Sequence, residues 1–207
     1  MHWDAVYEQR GAEGVSWYQP VASTSLALIE ALGVARDAAV VDVGGGASSL
    51  AGGLVDRGFT DVSVLDISKC ALDAARERLG PGREDPGPVT WLHQDLLDWR
   101  PRNRFGLWHD RAVCHFLTDA ADRARYLAVL RAAVQPGGAV VLATFAPDGP
   151  EYCSGLPVAR YSAEQLADVL GSVAGRDFRT VRVEREEHVS PSGAVQAFTW
   201  VAGRLGS

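Results

Sequence analysis

The sequence predicts a doubly wound α/β fold: a mostly parallel, seven-stranded sheet with helices on both faces and an antiparallel hairpin at its C-terminal edge. Three observations carry this expectation. From residue 38 onward, short near-continuous runs of Val, Ala and Leu alternate with helix-period segments, as strands buried on both faces require. A glycine cluster in "VVDVGGGASSL", residues 40–50, joins the first such run to a helical segment. The last two segments alternate apolar and polar residues and are joined by "SPSG", the pattern of a hairpin with one covered face.

In chain order, "AAVVDVG" reads as the first strand and "ASSLAGGLVDRG" as a helix ending at Gly58. "VSVLDI" is a second strand, and "SKCALDAARERLG" a helix capped by Ser68 and stopped at Gly80. "PGREDPGP" is a Pro/Gly loop, followed by strands at "VTWLHQD" and "RFGLWHD". "DAADRARYLAVLRAAV" is a helix ended by "QPGG", and "AVVLATFA" a fifth strand. The stretch "APDGPEYCSGLPVARY" shows no secondary-structure period and reads as a long loop. The helix "SAEQLADVLG" then leads to the hairpin strands "FRTVRVEREEHV" and "AVQAFTWVAGRL".

Composition bounds what such a fold does. At 207 residues and 47% apolar content, the chain suits one well-buried core, expected as a single domain over 1–207 with a cover segment at 1–37 and the sheet-bearing core at 38–207. Lys and Arg total 20 against 26 Asp and Glu, without a clustered basic run, so nucleic acid is not an expected partner. No apolar run approaches the roughly 20 residues needed to span a bilayer. The N-terminus lacks the basic-then-apolar layout of a secretion signal, and the expectation is a cytoplasmic protein, monomer or homodimer, away from membranes. Cys70, Cys114 and Cys153 are odd in number and far apart, which argues for reduced thiols rather than disulfides or structural zinc. No metal is expected.

In a doubly wound sheet, ligands sit beyond the carboxyl ends of the strands. Gly44, Gly45 and Gly46 lie at that end of the first strand, where a missing Cβ lets backbone approach a ligand. Asp42, Asp66 and Asp95 stand at the same end of three successive strands, a row that ordinary turn residues do not explain. Asp66 follows the glycines by about 20 residues, the spacing at which an acid takes up ribose hydroxyls. Ser49 stands where G-x-G-x-x-G requires its last glycine, and Asp42 would repel a pyrophosphate. A cationic ligand end suits it better.

The arrangement resembles the class I S-adenosylmethionine (SAM)-dependent methyltransferases, whose first motif runs D/E-x-G-x-G-x-G. "VDVGGGAS" is similar to that motif, with Ser48 in place of the third glycine. "VLDIS" is similar to the second motif, and "HQDL" occupies the adenine-binding position. "LRAAVQPGGAVVLATF" is similar to the family's helix, PGG turn and fifth strand. The resemblance runs from about Val40 to Val201 and implies a Rossmann-like fold with SAM as cofactor. It places Asp42, Gly44, Gly45, Gly46, Asp66, Ile67, Asp95, Leu96 and His109 at that cofactor.

Methyl transfer is an in-line displacement, so the acceptor must be held opposite the sulfonium and deprotonated where needed. In related enzymes the end of the fourth strand lines this place, and here it reads "WHDRAVCHF". His109, Asp110 and His115 are the candidate catalytic residues, each with an alternative as a satisfied core group. Arg111 either binds substrate or pairs with Asp110. "DRAVCHF" is loosely similar to the D-K-G-T-F/W-D stretch of elongation-factor lysine methyltransferases, with Arg111 and His115 as departures. Trp17 and Tyr18 are expected to cover the cofactor or shape the pocket, whereas Trp3 and Tyr7 are read as the hydrophobic side of an amphipathic cover helix. Arg160, in the long loop, either holds an anionic acceptor or pairs with a surface acid. The expected activity is methyl transfer to a small molecule; the alternatives are a protein lysine methyltransferase and a non-catalytic SAM-binding module.

Overall fold

The computed structural model describes residues 2–80, 87–173 and 177–206. The Pro/Gly loop expected at 81–88 falls mostly outside them. An N-terminal helix α1 (His2–Gly14) and a second helix α2 (Ser23–Ala31) precede β1 (Val40–Val43). The chain continues through α3 (Leu50–Val55), β2 (Val62–Asp66), α4 (Lys69–Leu79), β3 (Val89–His93) and β4 (Phe105–Arg111). After a 3-10 turn at Cys114–Phe116 come α5 (Ala120–Ala133), β5 (Val134–Phe145), β6 (Tyr152–Cys153), β7 (Leu156–Pro157) and α6 (Ala163–Gly171). Strands β8 (Phe178–Val189) and β9 (Val195–Leu205) close the chain.

Seven strands form one sheet in the order β3-β2-β1-β4-β5-β9-β8. Strands β1 to β5 pair in parallel, and β9 runs antiparallel to both β5 and β8. Six strands therefore share one direction and β9 alone is reversed. This is the doubly wound fold that the strand–helix alternation predicts. The period-two alternation of side chains sorts the strand residues into two cores. Val40, Val62, Val64, Leu107, Val141 and Ala143 pack with α2, α3 and α4 on one face. Val41, Val43, Leu65, Trp108, Val140 and Leu142 pack with α5 and α6 on the other.

The helix ends follow local chemistry. Ser68 accepts the Ala71 amide at the start of α4, and Gly80 (φ +83) ends it. Asp119 caps α5, and Ser162 with Gln165 forms a capping box on α6. Three features depart from the sequence reading. Helix α2 is not announced by the alternation, the "QPGG" turn lies inside β5 with Gly137 at φ +73, and β6 and β7 pair as a small hairpin within the expected loop. Among the described residues, no helix is long and apolar enough to cross a membrane.

Candidate active site

The turn after β1 needs its glycines. Gly44 has φ +61, and a Cβ there would meet Val113 Cγ2 at 2.0 Å. Gly46 has φ +42, and its Cβ would lie 2.8 Å from the Tyr7 hydroxyl and 3.0 Å from Asp66 Oδ2. Any side chain would push the loop away from both neighbours. The turn thereby brings β1, the end of β2, helix α1 and the segment after β4 to one place.

That place is a cavity of about 290 Å³ at the carboxyl ends of the strands. Gly44, Asp66, Ile67, Asp95 and Leu96 line its β1–β3 half, together with Gln94. Arg111, Val113, Phe116, Phe145, Cys153 and Phe198 line its β4–β9 half. Trp3, Tyr7 and Trp17 close it over the top. The cover is held by specific contacts rather than by deep burial, since no residue of α1 is fully buried. Asp4 accepts from Ser68 Oγ at 2.7 Å and from the Cys70 amide at 3.3 Å, tying α1 to the start of α4. Trp17 Nε1 donates to the Tyr7 hydroxyl at 3.2 Å, and Trp3 meets Phe116 edge-on at 5.0 Å.

Asp66 Oδ1 accepts the Ser68 amide at 2.7 Å. Burial under the cover raises its carboxyl to about 6, with a smaller push from the charge of Asp42. The same burial, with the Asp66 charge, lifts the Tyr7 phenol to about 12. Asp95 is exposed at the cavity rim, where its Oδ1 accepts the Leu97 amide at 2.8 Å. Asp42 is buried beneath the glycine turn. Its Oδ1 is 2.7 Å from His109 Nδ1, and its Oδ2 has no partner among the described residues. That oxygen faces Gly45, where a Cβ would stand only 2.5 Å away.

The structure does not bring His109, Asp110 or His115 to the wall of the large cavity. His109 is clamped between Asp42 and Ser25, whose Oγ lies 2.9 Å from Nε2, and it touches only a small cleft below the glycine turn. Asp110 points to the opposite face of the sheet, as its neighbour in a strand must. Its carboxylate accepts from the Val113 amide at 2.9 Å, the Cys114 amide at 3.1 Å and the Tyr126 hydroxyl at 2.8 Å. Burial raises it to about 6. His115 is fully buried beside Phe116 and Phe145, its ring nitrogens unpartnered among the described residues, and burial lowers it to about 3. It is a neutral ring at pH 7 and a poor match for a general base.

Of the expected acceptor residues, Trp17 and Arg111 line the cavity. Arg111 does not pair with Asp110; it returns to the face carrying Asp42 and stacks over Phe198 at 4.5 Å. Tyr18 borders only the small cleft, near Arg78. Arg160 pairs with Glu151 at 2.9 Å and donates to the Gly149 carbonyl, closing the loop on itself at the surface. Gln94, Val113, Phe116, Phe145, Cys153 and Phe198 are cavity residues that motif spacing does not single out. Phe145 and Phe198 are cross-strand partners, a pairing visible only once β9 is known to run beside β5. Among the described residues, no cluster of three His, Cys, Asp or Glu offers a metal site.

Comparison with known proteins bears on the same segment. Residues 40–138 match a family model described as a methyltransferase domain. That segment is similar to methyltransferase domains. It contains the glycine turn, Asp66, Asp95 and the whole of β4. No curated protein matches the chain in sequence. Solved methyltransferases share its fold at low identity. The 1,6-didemethyltoxoflavin-N1-methyltransferase of Burkholderia thailandensis, with 1,6-didemethyltoxoflavin and S-adenosylhomocysteine bound, aligns with a TM-score of 0.70 at 20% identity, covering 98% of this chain and 81% of its own. The N-methyltransferase NodS of Bradyrhizobium japonicum, in complex with S-adenosylhomocysteine, gives 0.70 at 14% identity, with 99% and 98% covered. Magnesium protoporphyrin IX methyltransferase of Synechocystis, with SAM bound, gives 0.65 at 18% identity, with 89% and 77% covered. The matched segment thus lies within a Rossmann-like fold that these solved methyltransferases share.

Proposed function

We propose that this protein transfers a methyl group from SAM to a small-molecule acceptor, as one domain over 1–207 with residues 1–37 as its cover. The single observation that carries the reading is the cavity covered by α1, with an acid suited to ribose at one half and an apolar, aromatic wall at the other. The residues fit the cofactor. Asp66 and Asp95, at the cavity, are acceptors for ribose and adenine, and Gly44 leaves backbone close to the ligand; Gly46 instead lets Tyr7 and Asp66 approach the turn, and Asp42, whose unpartnered Oδ2 suits an ammonium, borders the small cleft below the turn rather than the cavity itself. When bound, SAM supplies an electrophilic methyl carbon on a sulfonium. The chain's part is to orient an acceptor and keep water out. Trp3, Tyr7 and Trp17 shield the cavity, and Arg111 and Val113 reach it from the turn that Asp110 pins. His109 orients Asp42, while Asp110 shapes the turn through backbone bonds.

Among the described residues the cavity wall carries no imidazole, which favours acceptors whose nucleophilic atom is already deprotonated. The structural neighbours named for 1,6-didemethyltoxoflavin and magnesium protoporphyrin IX support a small-molecule acceptor. The experiment is a methyl-transfer assay with isotopically labelled SAM over amines, thiols, phenols and carboxylates. Label in a low-molecular-weight product supports the reading; label confined to protein lysines replaces it with the protein-substrate alternative.

A further inference from the structure

Arg111 has a feature that methyl transfer alone does not require. Its Nη1 donates to the Trp17 carbonyl at 3.0 Å, while Nε and Nη2 are shielded from solvent and have no partner among the described residues. Those two nitrogens form one edge of the guanidinium, the edge that receives a carboxylate side-on with two parallel hydrogen bonds. Nearby acids do not meet that edge. Glu186 accepts from Gln19 Nε2 at 2.7 Å and from Trp200 Nε1 at 2.9 Å, and Asp42 meets His109 through Oδ1 while its Oδ2 faces Gly45. Burial lowers the guanidinium to about 10, which still leaves it charged at neutral pH. A shielded cation with a bare edge is costly until an anion meets it.

Position says which anion. By strand order, the acids for adenosine stand at β2 and β3, and Arg111 stands at β4, two strands from β9, stacked on Phe198. Its neighbours on that wall are Phe116, Phe145 and Phe198, with Trp3 and Trp17 above. We propose that Arg111 anchors the acceptor, and that the acceptor is a small acid: a carboxylate on a flat, ring-sized apolar body. The proposal rests on the small-molecule reading and narrows it. The competing source of the same chemistry is the carboxylate of the cofactor's own amino-acid end.

The test titrates matched acid and amide pairs, benzoate with benzamide and phenylacetate with phenylacetamide, into the full chain saturated with S-adenosylhomocysteine, followed by ligand-observed NMR. The expected result is at least tenfold tighter binding of the acid in one pair. In Arg111→Met, which keeps the apolar volume, the ratio should fall to about one while homocysteine-cofactor affinity stays within twofold. Equal binding of acid and amide in both pairs, or no binding of either acid, overturns the proposal, and the wild-type ratio decides this even if the variant fails to fold. Loss of S-adenosylhomocysteine affinity in Arg111→Met, without acid preference in the wild type, assigns Arg111 to the cofactor instead. Labelling of proteins rather than small molecules in a lysate would sink the small-molecule reading separately, leaving the acid-to-amide ratio as its own measurement.

Discussion

Asp66 concentrates much of the site's electrostatics in one carboxylate. Ribose hydroxyls donate, so the charged form is the binding form, yet burial holds the ligand-free carboxyl at about 6. S-adenosylhomocysteine affinity should therefore be full above about pH 6 and fall as the pH drops through it, with a proton released on binding in that window. For the ligand-free fold the sign reverses: the raised value stabilises below the ordinary 3.8, and that contribution is lost as pH rises through about 6. Calorimetry in buffers of different ionisation enthalpy reads the proton directly. Asp66→Asn should abolish the release and weaken binding by about 2 kcal/mol, through lost charge-assisted hydrogen bonds. Binding unchanged in pH dependence and strength would remove Asp66 from the ribose role. Gly44→Ala should lower the melting temperature and abolish S-adenosylhomocysteine binding, because its Cβ would stand 2.0 Å from Val113 Cγ2 at a positive φ. His109→Ala should destabilise the fold by about 3 kcal/mol in urea denaturation, since it leaves the buried Asp42 carboxylate without its partner.

At the scale of elements, β4 shows what the sequence could and could not disclose. Its register sets Asp42 opposite His109 and Val43 opposite Asp110. Alternation then puts His109 and Arg111 on one face and Asp110 on the other, so "HDR" could never point as a group into one site. That much was legible from the strand assignment. The fate of His115 was not, because the chain leaves the strand through Ala112, a non-glycine residue at φ +73, and a 3-10 turn redirects it. The D-K-G-T-F/W-D pattern has Gly where this chain has Ala112, so the residue type here gives no sign of the left-handed turn. The turn hangs on Asp110 and the buried chain from Trp108 Nε1 to the Tyr126 hydroxyl to Asp110 Oδ2. Tyr126→Phe should cost about 1–3 kcal/mol by removing the hydroxyl donor to that buried carboxylate, which keeps only the Val113 and Cys114 amides, read as a lower denaturation midpoint. Helix α1 is fastened more lightly. Asp4→Ala should speed hydrogen exchange across α1 and shorten the residence of S-adenosylhomocysteine, with little change in melting temperature.

Over the whole molecule, the seven strands, the edge hairpin and the glycine turn followed from patterns a few residues long, whereas the strand order and the acceptor half of the cavity did not. The central strands announce themselves because burial on both faces forces apolar runs, as it does in β9; β8, at the edge, is exposed along almost its whole length rather than on one face. Asp66 and Asp95 fall at the cavity because a parallel sheet puts all its carboxyl ends at one edge. Phe116, Phe145, Cys153 and Phe198 come from four separate segments, and only tertiary packing collects them. The central claim is that this edge holds SAM. The most direct measurement is calorimetric titration of the protein with SAM, S-adenosylhomocysteine and, as control, NADH. The account predicts saturable binding of the first two, lost in Gly44→Ala and weakened in Asp66→Asn, with no heat from NADH. Binding of NADH, or silence with all three ligands, would contradict it.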